Sequence, residues 1–178
     1  MLKMKTQIII KEDLIYSGEY VVIRSNGIVE MVPAVLSPKE PSSGQERSRA
    51  DQQQHEASLE QFRELLGGPL ELFEQNKVNA KVFINGDGRL TWLDCNPVAT
   101  VLFDRYLVGT VVICKNGKSS DGFDARESLS VRGALQPVLD ELDGMKSVKE
   151  IDQRCRAIFD REEAQWRAFE AELMKRVA

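Results

Sequence analysis

Leu66-Gly67-Gly68-Pro69 splits the middle of the chain into a helix and a strand, and this break limits the fold more than any other feature. Before it, Leu59, Phe62, Leu65 and Leu66 recur at helical spacing, giving Ala57 to Leu66 one apolar face. Glycine adopts the left-handed conformation that ends helices, and Pro69 blocks their resumption. Leu70-Glu71-Leu72-Phe73 then begins a strand. Lys81-Val82-Phe83-Ile84 and Arg89-Leu90-Thr91-Trp92-Leu93 flank Asn85-Gly86-Asp87-Gly88, which reads as a hairpin with Trp92 in the core. Asn96-Pro97 opens a short helical segment holding Ala99, Val101, Leu102 and Phe103. Gly109 to Cys114 is nearly all apolar and short enough for a buried strand.

The flanks extend this core. Residues 1–36 read as strands: Gln7-Ile8-Ile9-Ile10, then Glu19–Ile23 and Ile28–Val32 around Ser25-Asn26-Gly27. Asn-Gly between β-prone runs suggests a type I′ turn, which needs positive φ at both central residues. Residues 37–54 (SPKEPSSGQERSRADQQQ) contain no apolar side chain larger than Ala50 and read as a flexible linker or loop whose end is available to the next helix. The α+β core spans 55–126, and 127–178 form a C-terminal helical segment. Within that segment, Leu129 to Leu142 is helical in pattern, with Pro137 near a helix start or kink. Ser147-Val148-Lys149-Glu150 has the spacing of a capping box. The helix it starts carries Ile151, Cys155, Ile158, Phe159, Trp166, Phe169, Leu173 and Val177 in one stripe. At about 1.5 Å per residue it spans roughly 40 Å, more than a core of this size needs. The expected fold class is α+β: a small, mostly antiparallel sheet with a packed helix, followed by C-terminal α-helices.

Composition narrows the function. A net charge of −4 and a pI near 5.2 disfavour broad nucleic-acid binding, which needs Lys and Arg gathered on one face. Three widely spaced cysteines without CxxC do not make a disulfide framework, so a reducing cytoplasm is the expected setting. No apolar run suits a signal peptide or a membrane span.

Candidate chemistry is sparse. His55 is the single histidine, among polar neighbours, and reads as solvated. With one His and three scattered Cys, no metal site is expected. Gly117-Lys118-Ser119 resembles the end of a phosphate loop, but Val112 stands where the first glycine belongs. Asn85-Gly86-Asp87-Gly88 fails as a calcium loop because Arg89 takes the third ligand position. Asp121, Asp124 and Glu127 read as a solvated loop leading into a helix capped by Ser128 or Ser130. At Asp94-Cys95-Asn96-Pro97, one reading is an activated thiol at a strand-to-helix turn. The simpler reading has Asp94 or Asn96 as N-cap, Pro97 at the first helical position and Cys95 packed inward, with no general base in view. No catalytic residues and no cofactor are assigned.

The order of pieces resembles a bacterial and phage family catalogued as domain of unknown function 3846. They are the helix ending Leu66-Gly67-Gly68 with Leu70-Glu71-Leu72, the run Val82 to Leu90, Asn96-Pro97-Val98-Ala99, and Val108 to Ile113, with a similar tail through Phe123 and Leu129. The resemblance covers about residues 57–130. It implies a small α+β protein carried on phages, plasmids and integrative elements, with an accessory, regulatory or anti-defence role and no established catalytic residues to carry over. Two hypotheses follow. In the first, the chain is a non-enzymatic binding protein that meets a protein partner, or itself, through Phe159, Trp166, Phe169 and Leu173. In the second, a small ligand or nucleotide binds the core near Gly67, Gly68, Asn96, Gly109 and Thr110, where backbone amides face an anion. An enzyme using Cys95 ranks below both.

Overall fold

The structure is a computed structural model that describes residues 18–34, 44–73, 80–116, 122–145 and 147–177. Strands β1 (Glu19–Ile23) and β2 (Val29–Pro33) precede helix α1 (Gly44–Leu66). There follow β3 (Leu70–Phe73), β4 (Ala80–Asn85), α2 (Pro97–Phe103), β5 (Val111–Lys115), α3 (Ala125–Gly144) and α4 (Val148–Val177). The five strands form one sheet in the order β2-β1-β5-β4-β3, and every neighbouring pair is antiparallel. The fold is thus α+β with a packed helix and C-terminal helices, as the sequence indicates. The expected Gln7–Ile10 strand, Gly117-Lys118-Ser119 and Asp121 lie outside the described residues.

Strand alternation gives the sheet two apolar faces. Tyr20, Val22, Phe83, Val112 and Cys114 meet Phe62 and Leu66 of α1. Phe62 lies edge-on to Tyr20, with ring centroids 4.7 Å apart, and 5.0 Å from Phe83. The Tyr20 hydroxyl donates to Ser58 Oγ at 3.0 Å, which accommodates a serine with no exposed surface. On the other face Val21, Ile23, Val29, Met31, Val82 and Ile113 pack with α2 and with Val131, Leu135 and Leu142 of α3. Fully burying one such side chain stabilises the fold by about 1.5–3 kcal/mol, so both helix layers hold the central strands in place.

The structure departs from the sequence reading in several places. Residues 44–54 continue α1 upstream instead of remaining linker. Gln, Glu, Arg and Ala are good helix formers, and adding turns to an existing helix needs no new nucleus. The β1–β2 hairpin is present, but among Asn26 and Gly27 only Gly27 has positive φ (82°), so the turn is not type I′. The Asn26 side chain instead accepts from the Ile28 amide at 3.1 Å. Arg89 to Leu93 is not a strand. β4 already pairs with β5 on one edge and β3 on the other, leaving no edge for a further partner. The segment coils into turns closed by Thr91 N to Asp87 O (2.9 Å) and Leu93 N to Gly88 O (3.1 Å). Trp92 is consequently 91% exposed, not core. Asp124, not Ser128 or Ser130, caps α3, in a capping box with Glu127. Pro137 falls well inside α3 rather than near its start. At α4, Ser147 Oγ accepts from the Glu150 amide at 3.3 Å.

One side chain joins three elements. Asn96 is fully buried and caps α2, its Oδ1 accepting from Ala99 N at 3.0 Å. Its Nδ2 donates to Ile23 O at the end of β1 (2.9 Å) and to Gly109 O ahead of β5 (2.8 Å). Gly109 takes φ 70°, and a Cβ there would lie 2.7 Å from Leu93 Cδ1, so a larger residue is strained in its backbone and must displace the Leu93 side chain. Asn96→Ala leaves two carbonyls and an amide without this partner. At about 1–3 kcal/mol per orphaned group, the expected loss is at least about 3 kcal/mol. Asn96→Asp keeps the cap acceptor yet loses both donated bonds, and is expected to cost nearly as much. Denaturant midpoints check this, and an Asn96→Asp variant as stable as the parent would contradict it.

Candidate functional site

The polar chemistry converges where α4 crosses α2 and the segment leading to β5. Cys155 and Ile158 of α4 are buried there, and the Phe159 ring lies edge-on to Tyr106 at 4.9 Å. Arg161 holds the end of α2, contacting both the carbonyl and the carboxylate of Asp104 at 3.0 Å. Asp104 takes the left-handed conformation that closes that helix.

Glu162 fixes the crossing. Its side chain is 12% exposed. It binds Arg89 at 3.0 Å and Arg105 at 2.9 Å, and accepts from the Tyr106 amide at 2.7 Å. Arg89 also donates to Tyr106 O at 2.6 Å and lies 5.8 Å from the centre of the Tyr106 ring. One carboxylate thus ties α4 to the turn after β4 and to the segment after α2. Arg89 and Arg105 also line two concavities. One, of about 790 Å3, runs along α4 past Glu162, Trp166, Arg167 and Phe169. The other, of about 240 Å3, lies beside Phe73, Ile84 and Leu107.

Just inside this crossing, Cys95 in the turn before α2 and Cys155 on α4 influence each other's ionisation. Cys95 is half-buried and Cys155 is buried. A hydrogen bond from the Cys155 thiol is the main influence lowering Cys95 to about 7, against the opposing effect of burial; Thr100 and Tyr106 add to the lowering. Cys95 Sγ lies 3.7 Å from Thr100 Oγ1. Cys155 moves strongly upward, through its bond to Cys95, burial and the Cys95 charge. Tyr106 also rises, first by burial and then by the Cys95 charge. Of the two sulfurs, the more accessible Cys95 is thus the easier to ionise.

The core residues singled out in the sequence have defined positions. Asn96 and Gly109 come together, but every polar atom of the Asn96 side chain serves the fold. Thr110 follows Gly109 and is half-buried. Gly67 ends α1 at φ 68°, its amide bonding Arg63 O at 2.9 Å. Gly68 abuts the Asn85 side chain, which leaves no room there for a Cβ. In the C-terminal stripe, Phe159 is half-buried against Tyr106, whereas Trp166, Phe169 and Leu173 are all at least half exposed. The Cys95–Cys155 pairing has no signature in sequence spacing; its one signal was the presence of Cys155 on the apolar stripe. Among the described residues no group of three or more His, Cys, Asp or Glu is arranged to hold a metal ion, and no helix is long and apolar enough to cross a membrane.

No family model matches the chain, and no curated protein or solved structure is significantly similar to it.

Glu162→Ala removes a shielded carboxylate and frees both arginines and the Tyr106 amide. Because the arginines are about half exposed, water recovers much of their solvation. The expected cost is about 2 kcal/mol. Hydrogen exchange at Tyr106 and in the first half of α4 is expected to accelerate. Unchanged protection at Tyr106 would show that Glu162 does not hold the crossing.

Proposed function

We propose that the chain is a non-enzymatic accessory binding protein of a mobile element, acting through protein–protein contacts made by the second half of α4, and that the occupant of this face is a second copy of the chain. The observation that carries this reading is the change in α4 after Glu162. Cys155 and Ile158 are buried, while Trp166, Phe169, Leu173 and Met174 are 67%, 58%, 50% and 66% exposed. Large side chains in sequence with a buried stripe, but themselves uncovered, favour a partner surface over a solvated helix face. The mobile-element setting comes from the resemblance described above.

Charge favours self-pairing. Glu163 lies six residues before Phe169 and Lys175 six after. Two antiparallel copies of α4 centred on Phe169 bring each Glu163 opposite the other chain's Lys175, and each Trp166 beside the other's Leu173. Parallel pairing instead sets Glu163 against Glu163 and Lys175 against Lys175, which repels. The Trp166 and Phe169 rings are already 5.7 Å apart, so part of their ordering cost is met within the chain.

Light scattering on the full chain over a concentration series tests this. Twice the chain mass is expected at high concentration. Trp166→Lys with Phe169→Lys is expected to weaken the dimer at least about thirtyfold, the effect of losing one hot spot of about 2 kcal/mol, while far-UV circular dichroism stays unchanged. A wild-type chain that remains monomeric at every concentration, or a dimer indifferent to both substitutions, would reject the proposed surface.

A further inference from the structure

We propose that the concavity of about 240 Å3 at the β3 edge of the sheet binds a free α-amino acid with an apolar side chain. Strand register builds its floor. Glu71 pairs with Ile84 and Phe73 with Val82, so Glu71, Phe73 and Ile84 project from one face of the sheet, the face that packs with α2. Phe103, the last residue of α2, stands edge-on to Phe73 with ring centroids 5.5 Å apart. The chain after α2, from Arg105 to Val108, also lines the cavity. Phe73 and Ile84 remain only partly buried against the core, and the space beside them matches about eight waters.

Charged groups of both signs border this apolar floor. Arg89 and Arg105 line the cavity and are held side by side by Glu162, at 3.0 and 2.9 Å. Arg89 reaches Glu162 and Tyr106 O through Nη2 alone, and Arg105 reaches Glu162 through Nε. Arg89 Nη1 and both Nη groups of Arg105 have no partner among the described residues, and the two side chains are about half exposed. Guanidinium groups already fixed by one carboxylate lose little freedom when they take another. Glu71 supplies the opposite sign. A Cβ on Gly86 would lie 3.4 Å from Glu71 Oε2, which sets the carboxylate over the turn that leads to Arg89. Glu71 has no hydrogen-bond or ion-pair partner among the described residues.

The balance of charge selects the ligand. Two guanidinium groups against the carboxylates of Glu162 and Glu71 sum to zero. A simple anion leaves Glu71 unpaired, and a simple cation leaves the free guanidinium nitrogens unpaired. A zwitterion satisfies both. Its carboxylate takes the paired N–H donors of the arginines, its ammonium group donates to Glu71, and its side chain covers Phe73, Ile84 and Leu107. A peptide bond at either end of the ligand removes one of those charges, so the free amino acid is the class that fits. None of Gly67, Gly68, Asn96, Gly109 and Thr110 lines this cavity, and neither do Trp166, Phe169 and Leu173.

Calorimetric titration of the full chain with L-leucine and with L-phenylalanine tests this, with amide NMR shifts to locate the site. At least one of the two is expected to bind saturably and to shift the amides of Ile84, Gly86 and Leu107. Isocaproate lacks the ammonium group of leucine, and leucinamide lacks its carboxylate. Each is expected to bind at least about tenfold more weakly than leucine, the effect of one lost charged hydrogen bond. Glu71→Gln is expected to weaken the amino acid by a similar factor and to leave isocaproate unchanged, because only the ammonium contact is lost. The titration reads this cavity whether or not the chain pairs through α4. No saturable binding of either amino acid, isocaproate binding as tightly as leucine, shifts confined to other surfaces, or undiminished affinity in Glu71→Gln would overturn the proposal.

Discussion

The arrangement depends first on the Asn96 side chain. A carboxamide offers two donors and one acceptor, and here all three are spent on backbone groups of β1, the approach to β5 and α2. Sheet pairing alone sets the strands side by side; it does not fix where a short helix sits over them. α2 has only seven residues, too few to be stable by itself. Its six residues from Val98 to Phe103 are all buried, and Asn96 sets the angle at which they enter the core. Because Cys95 precedes Asn96 directly, the same constraint sets the position of the thiol.

The second constraint is the anchoring of a helix longer than the core beneath it. α4 has thirty residues, and its first half buries Cys155 and Ile158 and sets Phe159 against Tyr106, just after α2. Glu162 lies at the limit of that coverage. Its carboxylate gathers two guanidinium groups and a backbone amide from segments distant in sequence, and so fixes the helix along its axis as well as against the core. Arg161 adds a hold on the last turn of α2 through Asp104. Beyond these contacts α4 carries its apolar side chains into solvent on a support fixed at one end.

Much of this fold was legible because it is local. The Gly67 stop, the Asn96-Pro97 helix start and the stripe on α4 are each set by neighbours within one or two turns and form where the sequence places them, and the apolar Gly109–Cys114 run forms a strand that begins two residues later, at Val111. What could not be read depends on topology. Arg89 to Leu93 alternates like a strand, but only the sheet order shows that both edges of β4 are occupied. The start of α1 looks like linker because its residues are polar, and polarity does not separate an exposed helix from a loop. The thiol pair was hidden most completely. Cys95 reads as a capping-turn neighbour and Cys155 as core; their mutual influence follows from α4 lying across α2, which no spacing rule encodes.

The buried and exposed halves of α4 are coupled by helical geometry. Eleven residues make about three turns, so Cys155 and Trp166 project from nearly the same side of the helix, and seven further residues bring Leu173 into line. A helix of this kind is stiff over such a distance, so its buried and exposed halves cannot rotate independently. A change at Cys155 that altered the seating of α4 on α2 would swing Phe169 and Leu173 through the same angle, with Glu162 as the nearest resisting contact. The rigid presentation of the exposed stripe depends on the Glu162 cluster and on the packing of Ile158 and Phe159.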